Sequence, residues 1–560
     1  MKLPRICPGL PFVLSVLLLE GLSFGQSQLN FSCEDLFSLC TERQDNVSAD
    51  PEYLGHYIGH DEPSLLFYSN VPGSGNYAQF KLVLPKDPVR FPTNAHPDGS
   101  GDPRPTVWNF QLHPAFWFGM ALCDTESYPI ATHDCKADSD DNIFDDPDPN
   151  SARYIGRHPG SSFLELQFYP PGWVVGFTPT QYAASLHINE DIQMALGPNG
   201  PVQNNSDCLR TVGQETTVFA LLTLDGKSQA PADPLSNDPN KFAVIPDETF
   251  LMNPGDELRV TVRDTADGLR TTVEDLTTGQ TGFMTASIEN GFAQIVFDPG
   301  APRCTSRPYA YHPMYATSGP HTRVPWAAHS YNVAFSDEIG HFNYCDVQNN
   351  SILPGIGACL SSPVENEIDP GTGKHEADDQ FCVDAASSRV FGFPNQPLGG
   401  CIDSDVDFDG VPYHHAWPGS GIDPYNFDDV PTPILFSSGK FRPRGKGDRE
   451  LRNYSQVAFE ADLPAIEGSS CNRVTGDGCV NPPAGALFYP IYSIKKREGQ
   501  CWWQFGGGDI PGTTNNFGGG SATEYATLLG SVYISGTSTN PGSRILFENY
   551  HRILPNDPCR

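Results

Sequence analysis

Residues 163–169 read FLELQFY, and this stretch decides the fold class. Leu164, Leu166 and Phe168 alternate with Phe163, Glu165, Gln167 and Tyr169. Successive side chains of a strand point to opposite faces, so a period of two sends the first set to a core and leaves the second as a polar face with aromatic flanks. The segment YNVAFSDE at 331–338 repeats the logic, with Val333 and Phe335 inward and Asn332, Ser336 and Glu338 outward. The run AFWFG around Phe116, Trp117 and Phe118 reads as a strand buried on both faces. Further β-type runs lie at 79–84, 107–112, 217–224, 257–263, 269–275, 293–297, 455–460, 486–493 and 531–535. Helical periodicity is rare, residues 34–42 being its best example. The 54 Gly and 52 Pro punctuate these runs and form no low-complexity block. Short strands between turns, without interleaved helices, predict an all-β chain of β-sandwich or jelly-roll type.

At 560 residues the chain exceeds the size at which one core usually stops growing. The expected organisation is a signal peptide at 1–25, a cystine-containing segment at 26–49, a β-sandwich at 50–299 and a loop-rich, disulfide-pinned β region at 300–560. Lys2 and Arg5 precede the apolar run LPFVLSVLLL at 10–19, the charged-then-apolar order of a secretory signal. That run is too short for a membrane span, and no later segment is apolar enough for one. Of 15 cysteines only Cys7 lies in the signal, leaving an even number to pair in an oxidising compartment. Short separations favour Cys33 with Cys40, Cys471 with Cys479 and Cys123 with Cys135. Sequons at Asn30, Asn46, Asn204, Asn349 and Asn453 add expected glycosylation. The chain therefore reads as secreted and extracellular. Its formal net charge of −33 repels nucleic acid and anionic membranes, and suits cations and neutral or cationic partners.

Were the strands carrying Glu165 and Glu338 adjacent, the two carboxylates would share one groove. One protonated and one ionised carboxyl group beside aromatic platforms is what hydrolysis of a polysaccharide requires. Gln167 and Asn332 would orient the pair. A glutamate with a glutamine offers different chemistry: the carboxylate activates water on a peptide bond and the amide stabilises the developing oxyanion. A third reading is a carbohydrate-binding or cell-surface protein without catalysis. In DSDVDFDG, Asp403, Asp405, Asp407 and Asp409 alternate ahead of Gly410, the front half of a calcium loop, so a structural calcium ion is a candidate cofactor. The back half is missing, because Ala416 stands where a bidentate glutamate would close the loop. The only G-x-S-x-G, GLSFG at 21–25, falls in the signal region, which argues against a serine hydrolase of that type.

GDELRVTVRD at 255–264, followed by TTVEDLTTGQTG at 271–282, resembles the strand–turn–strand of the glutamic peptidases (eqolisins). The resemblance implies a two-sheet concanavalin-like fold and catalysis by a glutamine and a glutamate. Glu289, in the following ASIENGF, matches no catalytic position of that family. Through YIGHDEP, FYSNVPGSGN, HPAFWFGMALC, QFYPPGW, VPWAAHSYN and IPGTTNNFGG the whole chain is also similar to a set of secreted bacterial and fungal proteins that carry no assigned activity.

Overall fold

The alternation in FLELQFY builds an eight-residue strand, Ser162–Tyr169, whose Leu164, Leu166 and Phe168 enter the hydrophobic core. The computed structural model describes residues 64–69, 71–86, 115–123, 126, 137, 162–169, 180–192, 194–197, 200–213, 215–236, 238–313, 326–331, 343–344, 347–348, 359–361, 382–384, 398–401, 432, 434–445, 450–463, 492–505, 516–517, 528–534, 545–554 and 557–559. In chain order the first strands are β1 (Ser64–Tyr68), β2 (Tyr77–Val83), β3 (Ala115–Leu122), β4 (Ser162–Tyr169), β5 (Tyr182–Asp191), β6 (Met194–Gly197), β7 (Gly200–Gln203) and β8 (Glu215–Leu221). They are followed by β9 (Leu251–Met252), β10 (Glu257–Thr265), β11 (Gly268–Asp275), β12 (Thr281–Thr285), β13 (Ala293–Ile295), β14 (Ser306–Pro308) and β15 (Trp326–Tyr331). A single α-helix, α1 (Ser206–Val212), and one 3-10 turn at Pro239–Phe242 complete the described helices.

Two ten-stranded antiparallel sheets dominate. The first runs Leu528–Ile534, Ile545–Leu554, Gln456–Leu463, β1, β15, β3, β4, β5, β8, with β9 also on β5. The second runs β12, β11, β10, β2, Ile434–Phe436, Gln500–Phe505, Tyr492–Arg497, Asn516–Phe517, with Lys440–Phe441 and Arg452–Asn453 attached beside β2. Both sheets take strands from before and after residue 299. The protein is thus all-β, with antiparallel sheets and little helix.

One core lies between the two sheets. Leu65, Phe67, Phe116, Phe118, Leu164, Leu166 and Ile188 of the first sheet meet Phe80, Leu82, Val260, Val262, Val273 and Phe436 of the second. Phe80 stacks on Phe118 across this gap at a centroid distance of 4.3 Å. Each alternating side chain buried here adds roughly 1.5–3 kcal/mol, which makes the register costly to shift by one residue. Phe116, Trp117 and Phe118 are all at most 2 % exposed, so β3 is buried on both faces as its composition implies.

The runs read from the sequence fall within a few residues of β2, β3, β4, β8, β10, β11, β13, Gln456–Leu463 and Leu528–Ile534, whereas β1, β5, β12, Gln500–Phe505 and Ile545–Leu554 were not among them. The sequence reading began the strand after β14 at 331, whereas β15 occupies Trp326–Tyr331. Residues 34–42, 107–112, 332–338 and 486–491 lie outside the described residues. The described bridges are Cys208–Cys304 and Cys501–Cys559, separated by 96 and 58 residues. Cys123 is also disulfide-bonded, while Cys33, Cys40, Cys135, Cys471 and Cys479 lie outside the described residues. No described helix is long and apolar enough to cross a membrane.

Of the sequons, Asn453 is exposed, whereas Asn204 is buried and holds structure together. Its Nδ2 donates to Ile192 O at 3.0 Å and its Oδ1 accepts from Asp298 N at 3.2 Å. Asn30, Asn46 and Asn349 lie outside the described residues.

Candidate functional site

On the face of the first sheet turned away from the core, β4 presents Glu165, Gln167 and Tyr169, and β5 presents Ser185, His187 and Asn189. The register sets Glu165 opposite His187 and Gln167 opposite Ser185, while β8 adds Phe219 opposite His187 and Thr217 opposite Asn189. Cross-strand partners stand about 4.5–5.5 Å apart at Cβ, so these polar side chains meet as soon as the strands pair.

The result is a ring of polar contacts around one carboxylate. Gln167 Nε2 donates to Glu165 Oε2, and Asn189 Nδ2 donates to Glu165 Oε1 at 2.5 Å. Tyr169 OH donates to Gln167 Oε1, which turns the amide nitrogen toward the carboxylate. Asn189 Oδ1 accepts from Thr217 Oγ1 at 3.1 Å and faces His187 Nε2 at 3.0 Å. Because Oδ1 can only accept, Nε2 carries the proton, and Nδ1 is left as an acceptor 3.5 Å from the Tyr169 hydroxyl. Ser185 Oγ lies 3.1 Å from that hydroxyl, whose own proton is committed to Gln167, so Ser185 is the donor there.

Burial tunes the ring. Desolvation lowers the His187 pKa to about 4, against a smaller raising effect of the Asn189 contact, so the imidazole is neutral through the mildly acidic range. Desolvation likewise pushes the Tyr169 phenol up; Ser185 opposes this and the charge of Glu165 reinforces it. Tyr169 therefore stays a hydrogen-bond donor at any ordinary pH. Ser185 and Trp117 are fully covered and Gln167 is 7 % exposed. Glu165, His187, Asn189 and Phe219 are half-buried and Thr217 is exposed, so solvent reaches the ring from the Asn189–Thr217 side.

Aromatic groups border it. Phe219 stacks on His187 with centroids 5.8 Å apart, and Trp117 meets Phe163 edge-on at 5.2 Å. Gly119 stands opposite Glu165 in register, and a Cβ there would lie 2.3 Å from Trp117 Cζ3. Glycine thus lets the indole fold down beside the carboxylate.

Of the residues picked out in the sequence, Glu165 and Gln167 are brought together by the structure. Glu338 and Asn332 lie outside the described residues, as do Asp403, Asp405, Asp407 and Asp409. Among the described residues no three His, Cys, Asp or Glu side chains gather to hold a metal. The sequence reading missed Ser185, His187, Asn189, Thr217 and Phe219 as site residues. The signal was present, since Ser185, His187 and Asn189 alternate with Leu186 and Ile188 as regularly as in FLELQFY, but that segment was not read as a strand. The next carboxylate along β5, Glu190, falls on the core face, where Tyr311 OH and Ile295 N donate to it.

No protein-family model matches the chain, and no curated protein matches it. The reading of the site therefore stands on its geometry.

Proposed function

We propose that the chain is an exported hydrolase of concanavalin-like fold that cleaves peptide bonds with Glu165 as general base and Gln167 as oxyanion donor. The observation that carries this reading is the contact of the Gln167 amide with the Glu165 carboxylate, each held from behind by its own partner, Tyr169 and Asn189. In the reaction Glu165 takes a proton from water as the water oxygen bonds to the scissile carbonyl carbon. The Gln167 N–H turns from the carboxylate to the carbonyl oxygen as it becomes negative. Glu165 then passes its proton to the leaving nitrogen as the C–N bond breaks. Asn189 keeps the carboxylate in place between steps, and Tyr169 keeps the Gln167 nitrogen, not its oxygen, facing the substrate.

The test is cleavage of unfolded casein across mildly acidic pH, followed by mass spectrometry of new termini. Glu165→Gln and Gln167→Ala should each lower the rate by about 100-fold or more, the usual cost of losing such a group. Absence of cleavage by the wild-type protein, or full activity in Gln167→Ala, ends the proposal.

A polysaccharide substrate is the second reading, favoured by the flat Phe219–His187 stack beside Glu165. It needs a second carboxylate, for which Glu338 is the candidate. Release of reducing sugar that depends on Glu165 and Glu338 but survives Gln167→Ala would select it.

A further inference from the structure

On the outer face of the second sheet Lys81 and Arg259 stand opposite each other, but each has its own carboxylate partner. Lys81 Nζ meets Glu257 Oε1 at 3.1 Å, and Arg259, opposite Glu274 in register, meets it at 3.1 Å. Two rungs further, Arg263 faces Arg270 directly. Like charges directly opposite on a sheet destabilise it, and here they do so in a chain with 67 carboxylate residues against 34 lysines and arginines. Asp267, in the hairpin turn, forms no ion pair with either, and Asp264 points to the other face, where it meets His312 Nδ1 at 2.7 Å. Neither arginine has a carboxylate or a hydrogen-bond acceptor as partner among the described residues.

The two guanidinium groups are set differently. Arg263 is exposed, whereas Arg270 is half-buried with its guanidinium carbon over the Phe283 ring, 4.0 Å from the centroid. A guanidinium held over a ring by cation–π attraction still has N–H groups to offer an acceptor. Next to the pair, Tyr77 stands opposite Arg263 and carries Arg442 over its own ring at 4.3 Å, bringing a third guanidinium to the same face.

We propose that the Arg263–Arg270 rung is a binding site for an oxyanion group, a carboxylate or sulfate, carried by a small or sparsely charged ligand such as an acidic sugar. Arg270 supplies the N–H groups of a guanidinium held over Phe283, and Arg263 closes from the solvent side. The Arg270 pKa is pulled down by burial and then by the charge of Arg263, the electrostatic penalty that a bound anion relieves. A long polyanion is disfavoured, because the net charge of −33 repels it. The site lies on the opposite side of the core from Glu165 and is independent of the proposed hydrolysis.

The test is calorimetric titration at constant ionic strength with sodium sulfate, with sodium galacturonate and with galactose. Saturable binding of sulfate alone identifies a sulfate-type ligand; binding of galacturonate but not galactose identifies a sugar acid. In either case Arg263→Gln and Arg270→Gln should weaken it at least 10-fold. Arg263→Glu should abolish it and raise the melting temperature of the free protein, by supplying in cis the carboxylate that the rung lacks. Arg263 is exposed, so its variants test the site even if Arg270→Gln folds poorly. No saturable binding of either anion, or binding unchanged in the Arg263 variants, overturns the proposal.

Discussion

The neutral imidazole of His187 makes the Glu165 ring sensitive to acid. Its pKa falls from the ordinary 6.5 to about 4 in the folded chain, because burial disfavours the charged form. Between these values the unfolded chain binds a proton that the folded chain refuses. Stability therefore falls as pH drops through this window and is complete above it, the full contribution being at most ~3 kcal/mol. Urea unfolding midpoints should rise from about pH 4 to about pH 7, and His187→Gln should flatten the rise by the share that His187 contributes. An unchanged slope in His187→Gln would place the titration elsewhere. Glu165 and Gln167 were legible in the sequence because residues two apart on a strand share a face wherever the strand sits. Their partner Asn189, 24 residues further on, was not, because only strand pairing brings it alongside.

At the scale of elements, α1 shows how a short helix is held by its start. Asn205 caps it, Oδ1 accepting from Cys208 N at 2.9 Å while Nδ2 donates to Asp298 O at 3.0 Å. Seven residues are too few for a helix to stand alone, so the cap and the disulfide at Cys208 carry it. Asn205→Ala should cost about 1–2 kcal/mol in chemical denaturation, most of it the cap and the stranded Asp298 carbonyl. In the sequence Asn204 reads only as a sequon, and the helix start beside it goes unread. The strand β15 was harder to read. Trp326 and Ala328 enter the core while Ala327 pairs with Leu66 on one side and Gly119 on the other, so WAAHSY has little apolar alternation for a sequence pattern to catch. Its place between β1 and β3 supplies the hydrogen bonds that its composition does not advertise.

For the molecule as a whole, the described bridges close long stretches of chain. Replacing Cys208 and Cys304 together by serine releases a 96-residue loop and should cost roughly 2–5 kcal/mol, read as a lowered midpoint without loss of the far-ultraviolet β signal. A sequence argument that prefers short loops does not find such a pair, because closure entropy grows only slowly with length and folding has already brought the ends together. The sequence by itself determined that the chain is β-sheet, which side chains of strands such as β4 and β10 face inward, and that Glu165 and Gln167 share a polar face. These follow from the two-residue repeat of an extended backbone, a local property. Only the tertiary structure decided that Asn189 and His187 stand beside Glu165, that Glu190 one step away is buried among core residues, and that Arg263 faces Arg270 with no carboxylate between them among the described residues. Those facts depend on which strands pair and in what register, and register is set by how both sheets together fill one core.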